Sequence, residues 1–186
     1  MEAISHFLYE LGLLKRIRRT GWWVAGVEDP ESVAEHSFRT AVLGLVLATM
    51  EGADPLRTAV MCLIHDLPET RIGDLHRLNR RYLDPEEAES RAFSHQVQSL
   101  PGGMAEQLTE LFVEFNASAT KEALVARDAD VLECLIQARE YQAQGCSSVT
   151  EWINNAFTQL RTTSARRLAQ ASMTTDPKDW WHLRMV

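Results

Sequence analysis

Apolar residues recur at the helical period from the start of the chain. In EAISHFLYELGLLKRI, residues 2–17, the apolar side chains on one face are Ile4, Phe7, Leu8, Leu11 and Leu14. Spacings of three and four residues place side chains on the same side of an α-helix. The pattern therefore predicts an amphipathic helix over this segment.

Similar segments follow, separated by stretches that carry glycine and proline. SVAEHSFRTAVLGLVLATM begins with Ser32 and has Glu35 three residues later, which is the spacing of a capping box. Asp54–Pro55 and Asp84–Pro85 each combine an N-cap residue with a first-turn proline. Later helices are predicted in MAEQLTELFVEF, TKEALVARDADVLECLIQAREYQAQG and SVTEWINNAFTQLRTTSARRLAQA.

No strand-type alternation of apolar and polar residues persists between turn signals. A chain of 186 residues is long enough for one domain with a sizeable core. The sequence therefore predicts an all-α fold, with a single domain over residues 1–186 built from about seven or eight helices.

Charge and composition exclude several classes of protein. The chain has 19 Lys and Arg residues against 26 Asp and Glu residues, a formal charge of −7, which argues against a nucleic-acid polymer as partner. Its apolar runs are too short to span a membrane, and the first residues lack the basic region of a signal peptide. The three cysteines form no close pair in sequence, so we expect reduced thiols and a cytoplasmic location.

Several ionisable residues occur inside or beside apolar helices: His36, His65, Asp66, Asp128 and Asp130. A charged carboxylate in such a setting costs several kcal/mol unless it is paired. Each of these residues alone is more typical of an ordinary core or surface position. As a set on three helices, imidazole nitrogens and carboxylate oxygens suit a divalent metal, with coordination positions left open for catalysis.

The motifs around these residues occur in a fixed order: PESVAEHSFR, then LIHDLPETRIGDL, then RDADVLE and QAREY. This order resembles the HD-domain metal-dependent phosphohydrolases, and among them the 5'-deoxynucleotidases, which remove phosphate from deoxynucleoside monophosphates. The resemblance covers a motif core of about residues 13–141. We expect the helices within residues 147–186 to pack on that core or at a dimer interface.

The resemblance implies one divalent metal ion, which would be Co, Mn, Mg, Ni or Fe. The ligands it implies are His36, His65, Asp66 and Asp130. Helical spacing from Leu124 instead places Asp128 on the apolar face of its helix. A helix that is buried on several sides could satisfy both patterns. We therefore follow the resemblance and predict Asp130 as the fourth ligand, with Asp128 as the alternative.

The resemblance also implies catalytic and substrate-binding residues. Glu69 and Asp74 would take or return a proton during phosphate ester cleavage. Arg19 would bind the phosphate through its planar guanidinium. Trp22 or Trp23 would pack on the sugar and leave no room for a 2'-hydroxyl.

The predicted function is therefore that of a metal-dependent 5'-deoxynucleotidase that takes a small nucleotide substrate and forms a homodimer, without a membrane or nucleic-acid partner. One alternative is an HD phosphohydrolase of nucleoside triphosphates or of a modified nucleotide in a biosynthetic pathway. A second is a non-catalytic helical binding module that keeps a metal. Glu69 and Asp74 argue against the binding module, because a purely structural metal site needs neither.

Overall fold

The computed structural model describes residues 1–182, except for the side chain of Arg80. Its α-helices, in chain order, are α1 Glu2–Leu11, α2 Thr20–Val24, α3 Val33–Glu51, α4 Pro55–Ile64, α5 Glu69–Ile72, α6 Pro85–Val97, α7 Met104–Ala117, α8 Lys121–Ala143, α9 Thr150–Gln159 and α10 Thr163–Thr174. Short 3-10 helices cover Gly12–Lys15, Asn79–Arg81, Ser147–Val149 and Asp179–His182. Over residues 1–182 the only β-type pairing outside these elements is an isolated bridge between Arg18 and Ser32.

The predicted all-α fold class is confirmed. Within the described residues, eight of the α-helices have ten residues or more, which agrees with the predicted seven or eight. Only the short helices α2 and α5 had no counterpart in the hydrophobic pattern, because one or two turns contain too few residues to show a period.

The predicted helix caps are present. Ser32 accepts a hydrogen bond from the Glu35 backbone N–H at 3.2 Å, and the Glu35 carboxylate accepts one from the Ser32 N–H at 2.6 Å. Asp54 accepts from the backbone N–H groups of Leu56 and Arg57, each at 3.0 Å. These caps fix the starts of α3 and α4, the two helices that lead to His36 and His65.

Helix α8 lies at the centre of the fold and packs against α3, α4, α7, α9 and α10. Its buried apolar residues point to several sides and include Ala123, Val125, Ala126, Ala129, Leu132, Leu135 and Ala138. Because protein surrounds this helix, residues two positions apart can both face other parts of the chain.

Helices α3 and α4 approach each other closely at Gly44. A Cβ atom at this position would lie 2.6 Å from the Cys62 sulfur, so any larger residue would force the helices apart. The close contact brings the beginning of α3, with His36, towards the end of α4, with His65. Glycine at this crossing therefore helps to assemble the site.

Helices α9 and α10 pack on α8 through the buried residues Ile153, Ala156, Leu160, Ala165 and Ala169. Beyond α10, Trp180 and Trp181 are exposed in the last 3-10 helix. We expected the helices within residues 147–186 to pack on the motif core or at a dimer interface. Residues 183–186 of that range lie outside the described residues. A single domain over the whole chain stays a prediction.

Within residues 1–182, no helix combines the length and the apolar character needed to cross a bilayer.

Candidate active site

A closed loop places Arg19 beside the start of α3. The Arg19 N–H donates to the Glu31 carbonyl at 3.0 Å, and the Val33 N–H donates to the Ile17 carbonyl at 2.9 Å. Inside the loop, the buried Trp22 indole donates to the Glu31 carboxylate at 2.9 Å. These bonds hold the ends of the loop together, so Arg19 is carried on a fixed backbone rather than on a free loop.

The structure brings the four predicted ligands together from three places in the chain. His36 lies in the first turns of α3, His65 and Asp66 lie where α4 ends, and Asp130 lies in the middle of α8. The Asp130 Oδ1 atom is 3.2 Å from His36 Nε2 and 3.7 Å from His65 Nε2. The two Asp66 oxygens lie 3.2 Å from His65 Nε2 and 3.6 Å from His36 Nε2.

These residues fit a divalent metal ion on the evidence of the site itself. The His65 Nε2 atom is buried and lacks a partner in hydrogen-bond geometry, although carboxylate oxygens lie nearby. A buried nitrogen without a partner is costly, and a metal would satisfy it. Ligand–metal distances of about 2.0–2.2 Å put neighbouring ligands about 3 Å apart, close to the separations seen here.

Neighbouring carboxylates raise the pKa of both imidazoles, His36 and His65, above its usual range when no metal is bound. Burial and Arg19 oppose protonation of His36, but Glu133 and Asp130 outweigh them and raise its pKa to about 9. Burial alone would raise the pKa of Asp66, but His65, Arg19 and His36 outweigh it and lower the pKa to about 2. Metal binding must therefore displace protons from both imidazoles, since a histidine ligates only in its neutral form.

Asp128 and Asp130 have different surroundings, although both lie on α8. Asp128 accepts hydrogen bonds from the backbone N–H groups of Arg161, at 2.9 Å, and Thr162, at 2.6 Å, and from the Thr162 hydroxyl at 2.6 Å. Its carboxylate therefore holds the segment that begins α10. The helical spacing that favoured Asp128 indicated burial, and in the structure its carboxylate is bound by these three donors.

Arg19 lies among three carboxylates. Its Nη1 atom is 2.8 Å from Asp74, 3.3 Å from Asp66 and 3.8 Å from Glu69. Asp74 also accepts a hydrogen bond from the Thr20 backbone N–H at 2.7 Å. The guanidinium therefore stands directly beside the metal-ligand cluster, where a bound phosphate would need a cation.

Glu69 is the least satisfied carboxyl group of the site. Its side chain is buried, and its Oε2 atom has no hydrogen-bond partner. Burial and the nearby Asp66 raise the pKa of Glu69 well above its usual range, which outweighs the opposing effect of Arg19. Burial therefore favours the neutral, proton-carrying form of this side chain in the metal-free protein.

The two neighbouring tryptophans differ in accessibility. Trp22 is 2% exposed and contacts the rings of Tyr141 and Trp152 at centroid distances of 5.4 and 5.7 Å. Trp23 is 52% exposed and lies three residues after Thr20, which places both on one face of α2. Trp22 thus has almost no surface to offer a sugar, whereas Trp23 has.

Three residues next to the predicted site were not assigned a role from the sequence. Glu133 lies 2.6 Å from the second ring nitrogen of His36, Thr20 binds Asp74, and the Cys134 sulfur lies 3.6 Å from Arg19. Glu133 and Cys134 belong to or directly follow the RDADVLE motif, and Thr20 follows Arg19. Their positions in these motifs were the only signal in the sequence, because a lone residue of these types is common on any helix.

Two histidines and two aspartates gathered on helices are typical of a metal-dependent protein. Comparison with known proteins shows to which family of such proteins the chain belongs. The HD domain family model matches residues 11–172. The chain belongs to the HD domain family. The predicted class of enzyme, a metal-dependent phosphohydrolase, is confirmed.

Curated relatives and solved structures agree with this assignment. The chain is 33% identical over 152 residues to the 5'-deoxynucleotidase HDDC2 of Dictyostelium discoideum, covering 77% of this chain and 80% of the relative. It is 32% identical over 141 residues to the human protein of that name, covering 75% and 69%. A conserved hypothetical protein of Pyrococcus furiosus superposes with a TM-score of 0.79 at 32% identity, covering 92% and 99%.

Proposed function

We propose that the protein is a 5'-deoxynucleotidase that hydrolyses deoxynucleoside 5'-monophosphates to a deoxynucleoside and phosphate. The observation that supports this proposal most is the cluster of His36, His65, Asp66 and Asp130, with Arg19 and the buried Glu69 at its edge. Curated relatives that are about a third identical to the chain over the aligned residues carry that activity in their names. Neither observation alone specifies the substrate, but together they support it.

Each side chain has a distinct task in this proposal. A divalent metal in the cluster would neutralise charge on the phosphoryl oxygens and acidify a water. Arg19 binds the phosphate, for which its planar donors are suited. Glu69 gives its proton to the leaving 5'-oxygen, since a neutral buried acid is a good general acid. Asp74 orients Arg19, because Arg19 and Thr20 already engage its oxygens.

Trp23 is the residue we propose for discrimination against ribose. Trp23 lies three residues after Thr20 on α2, and Thr20 binds Asp74, which also accepts from Arg19. A 2'-hydroxyl pressed against an apolar ring loses its hydration without gaining a partner, which costs on the order of 1–3 kcal/mol. This corresponds to roughly a tenfold to hundredfold preference for deoxy substrates.

The test is a panel of dAMP, AMP, dATP and ATP, with released phosphate measured for each. We expect the highest kcat/KM for dAMP, a smaller dAMP/AMP ratio for Trp23→Ala, and an unchanged ratio for a control substitution at the exposed Tyr82, Tyr82→Ala. Arg19→Ala should weaken dAMP and AMP equally, because both carry the same phosphate. Equal rates on dAMP and AMP would contradict the proposed specificity, and a preference for dATP would favour a triphosphohydrolase.

Metal identity, location and domain organisation are proposed on chemical grounds. Two imidazole nitrogens and two carboxylate oxygens suit Mn or Co, and Mg, Ni or Fe would also fit such a set. The cysteines Cys62, Cys134 and Cys146 are all free, which suits a reducing cytoplasm. We further propose a single domain, because α9 and α10 share their buried residues with α8.

We also propose that the protein forms a homodimer through the outer faces of α3 and α4. Exposed large apolar side chains on these helices are Phe38, Val42, Leu45, Val46, Met50, Leu56, Val60 and Leu63. Both helices pack on α8 with their other faces, so these side chains form one surface, defined here as the α3–α4 face. These eight side chains are between 38% and 72% exposed, and a contiguous apolar surface of this kind marks an interaction site.

A second copy of the chain suits the α3–α4 face because it carries no charge along its apolar rows. The whole chain carries a formal charge of −7, so an uncharged face is where two copies can meet with the least repulsion. Two-helix faces of this kind pack isologously across a two-fold axis.

Sedimentation velocity tests the dimer. We expect the unaltered protein at twice the 21.1 kDa of one chain and Leu45→Glu at the mass of one chain. The matched control is Val113→Glu on α7, where the valine is 57% exposed but lies outside this face. A dimer that persists in Leu45→Glu, or an unaltered protein that is monomeric, would contradict the proposal.

A further inference from the structure

A pair of fully buried side chains stands behind the metal-ligand cluster. His36 Nδ1 lies 2.6 Å from the Glu133 Oε2 atom, and both side chains have no exposed surface. An ionised carboxylate only accepts hydrogen bonds, so Nδ1 must be the donor. In the neutral ring this leaves the lone pair on Nε2, the nitrogen that faces Asp66 and Asp130.

Arg39 fixes the other oxygen of Glu133. Its Nε and Nη2 atoms lie 2.9 and 2.7 Å from Glu133 Oε1. The remaining guanidinium donors bind Gln137 and Glu140, the latter at 2.8 Å. The three acceptors occupy positions 133, 137 and 140, on one face of α8. Residues of the RDADVLE and QAREY motifs therefore bind the Arg39 guanidinium together, and we call Arg39 with these three acceptors the clamp.

We propose that Glu133 is a positioning residue for the metal site: it fixes the tautomer and ring orientation of His36, and Arg39 keeps the Glu133 carboxylate turned towards it. Hydrogen-bond partners behind a ligating histidine typically change metal affinity by about 10–100-fold. The inference rests on the metal site of the proposed function but not on its substrate.

The substitution Glu133→Gln tests whether residue 133 fixes the tautomer of His36, because Arg39 determines the orientation of the new amide group. The guanidinium can only donate, so it attracts the amide oxygen and turns the amide N–H₂ towards His36. That N–H₂ group would donate to Nδ1 and force the ring proton onto Nε2, where it blocks ligation. We therefore expect metal affinity to fall by at least about 10–100-fold, although the substitution hardly changes side-chain volume.

A second substitution separates positioning from a general structural effect. In the double variant Arg39→Met with Glu133→Gln, nothing fixes the amide, so its oxygen can turn to accept from Nδ1. We expect the double variant to bind metal more tightly than Glu133→Gln alone. If the clamp only stabilised the fold, removing a second member would weaken binding further. Glu106→Gln, on the exposed surface of α7 and outside the clamp, is the matched control, and we expect it to bind metal like the unaltered protein.

The measurement is titration of the metal-free protein with Co²⁺, followed by visible absorption, with helix content and thermal unfolding recorded for every variant. A Glu133→Gln protein that is folded and binds Co²⁺ like the unaltered protein would overturn the inference. So would a double variant that binds more weakly than Glu133→Gln. An unaltered protein that binds Co²⁺ but does not hydrolyse deoxynucleotides would refute the proposed substrate and leave this inference standing.

Discussion

Asp130→Ala is expected to remove the bound metal and the phosphatase activity together, whereas Asp128→Ala keeps both. The Asp130 carboxylate lies against His36 and His65, so its loss takes away an oxygen that faces both imidazoles. A catalytic metal supplies several kcal/mol of transition-state stabilisation. At 1.36 kcal/mol per tenfold, activity should therefore fall at least about a thousandfold.

Asp128→Ala is the matched control, with the same substitution two residues away on the same helix. It leaves the backbone donors of Arg161 and Thr162 without their carboxylate partner. We expect the free energy of unfolding to fall by about 1–3 kcal/mol, with little change in metal content. Metal content by elemental analysis and stability by urea unfolding show whether the two effects separate as expected. Stoichiometric metal in Asp130→Ala would refute the ligand assignment.

The comparison of these two aspartates shows where inference from sequence stops. Hydrophobic periodicity in one helix indicates that a position is buried, and Asp128 is buried. Periodicity contains no information on what the buried group contacts, because that depends on segments far away in the chain. Here the partner of Asp128 is the start of α10, more than thirty positions later. Only the order of motifs favoured Asp130.

The fold was more predictable than the site because helix starts and apolar faces are local features. The caps at Ser32 and Asp54 and the amphipathic start of the chain follow from residues within one or two turns. Contacts behind the ligands are not local: Glu133 reaches His36 across 97 positions, and Arg39 bridges α3 to α8. The burial of Trp22 likewise depends on contacts with Tyr141 and Trp152, which are distant in the chain. The local sequence around Trp22 and Trp23 therefore could not indicate which indole is exposed.

Glu69→Gln is expected to retain the metal and to lower kcat by roughly 10²–10⁴-fold, the usual cost of a lost general acid. The amide matches the neutral acid in shape but has no proton to give to the leaving oxygen. Because burial raises the pKa of Glu69 well above its usual range, its active protonated form is favoured and is lost only as the pH rises through that raised pKa. In the unaltered protein, deprotonation of Glu69 should lower the activity at alkaline pH. Glu69→Gln has no such group to deprotonate, so this alkaline decrease should be absent from its pH profile.

An aryl phosphate with an acidic phenol tests this role of Glu69 directly, because such a leaving group departs without a proton. We expect Glu69→Gln to lose much less activity on this substrate than on dAMP, and the exposed control Glu106→Gln to be normal on both. Equal losses on the two substrates would contradict proton donation. If metal is lost together with activity, Glu69 is a ligand, and its unpartnered Oε2 atom would then be explained by coordination rather than by proton transfer.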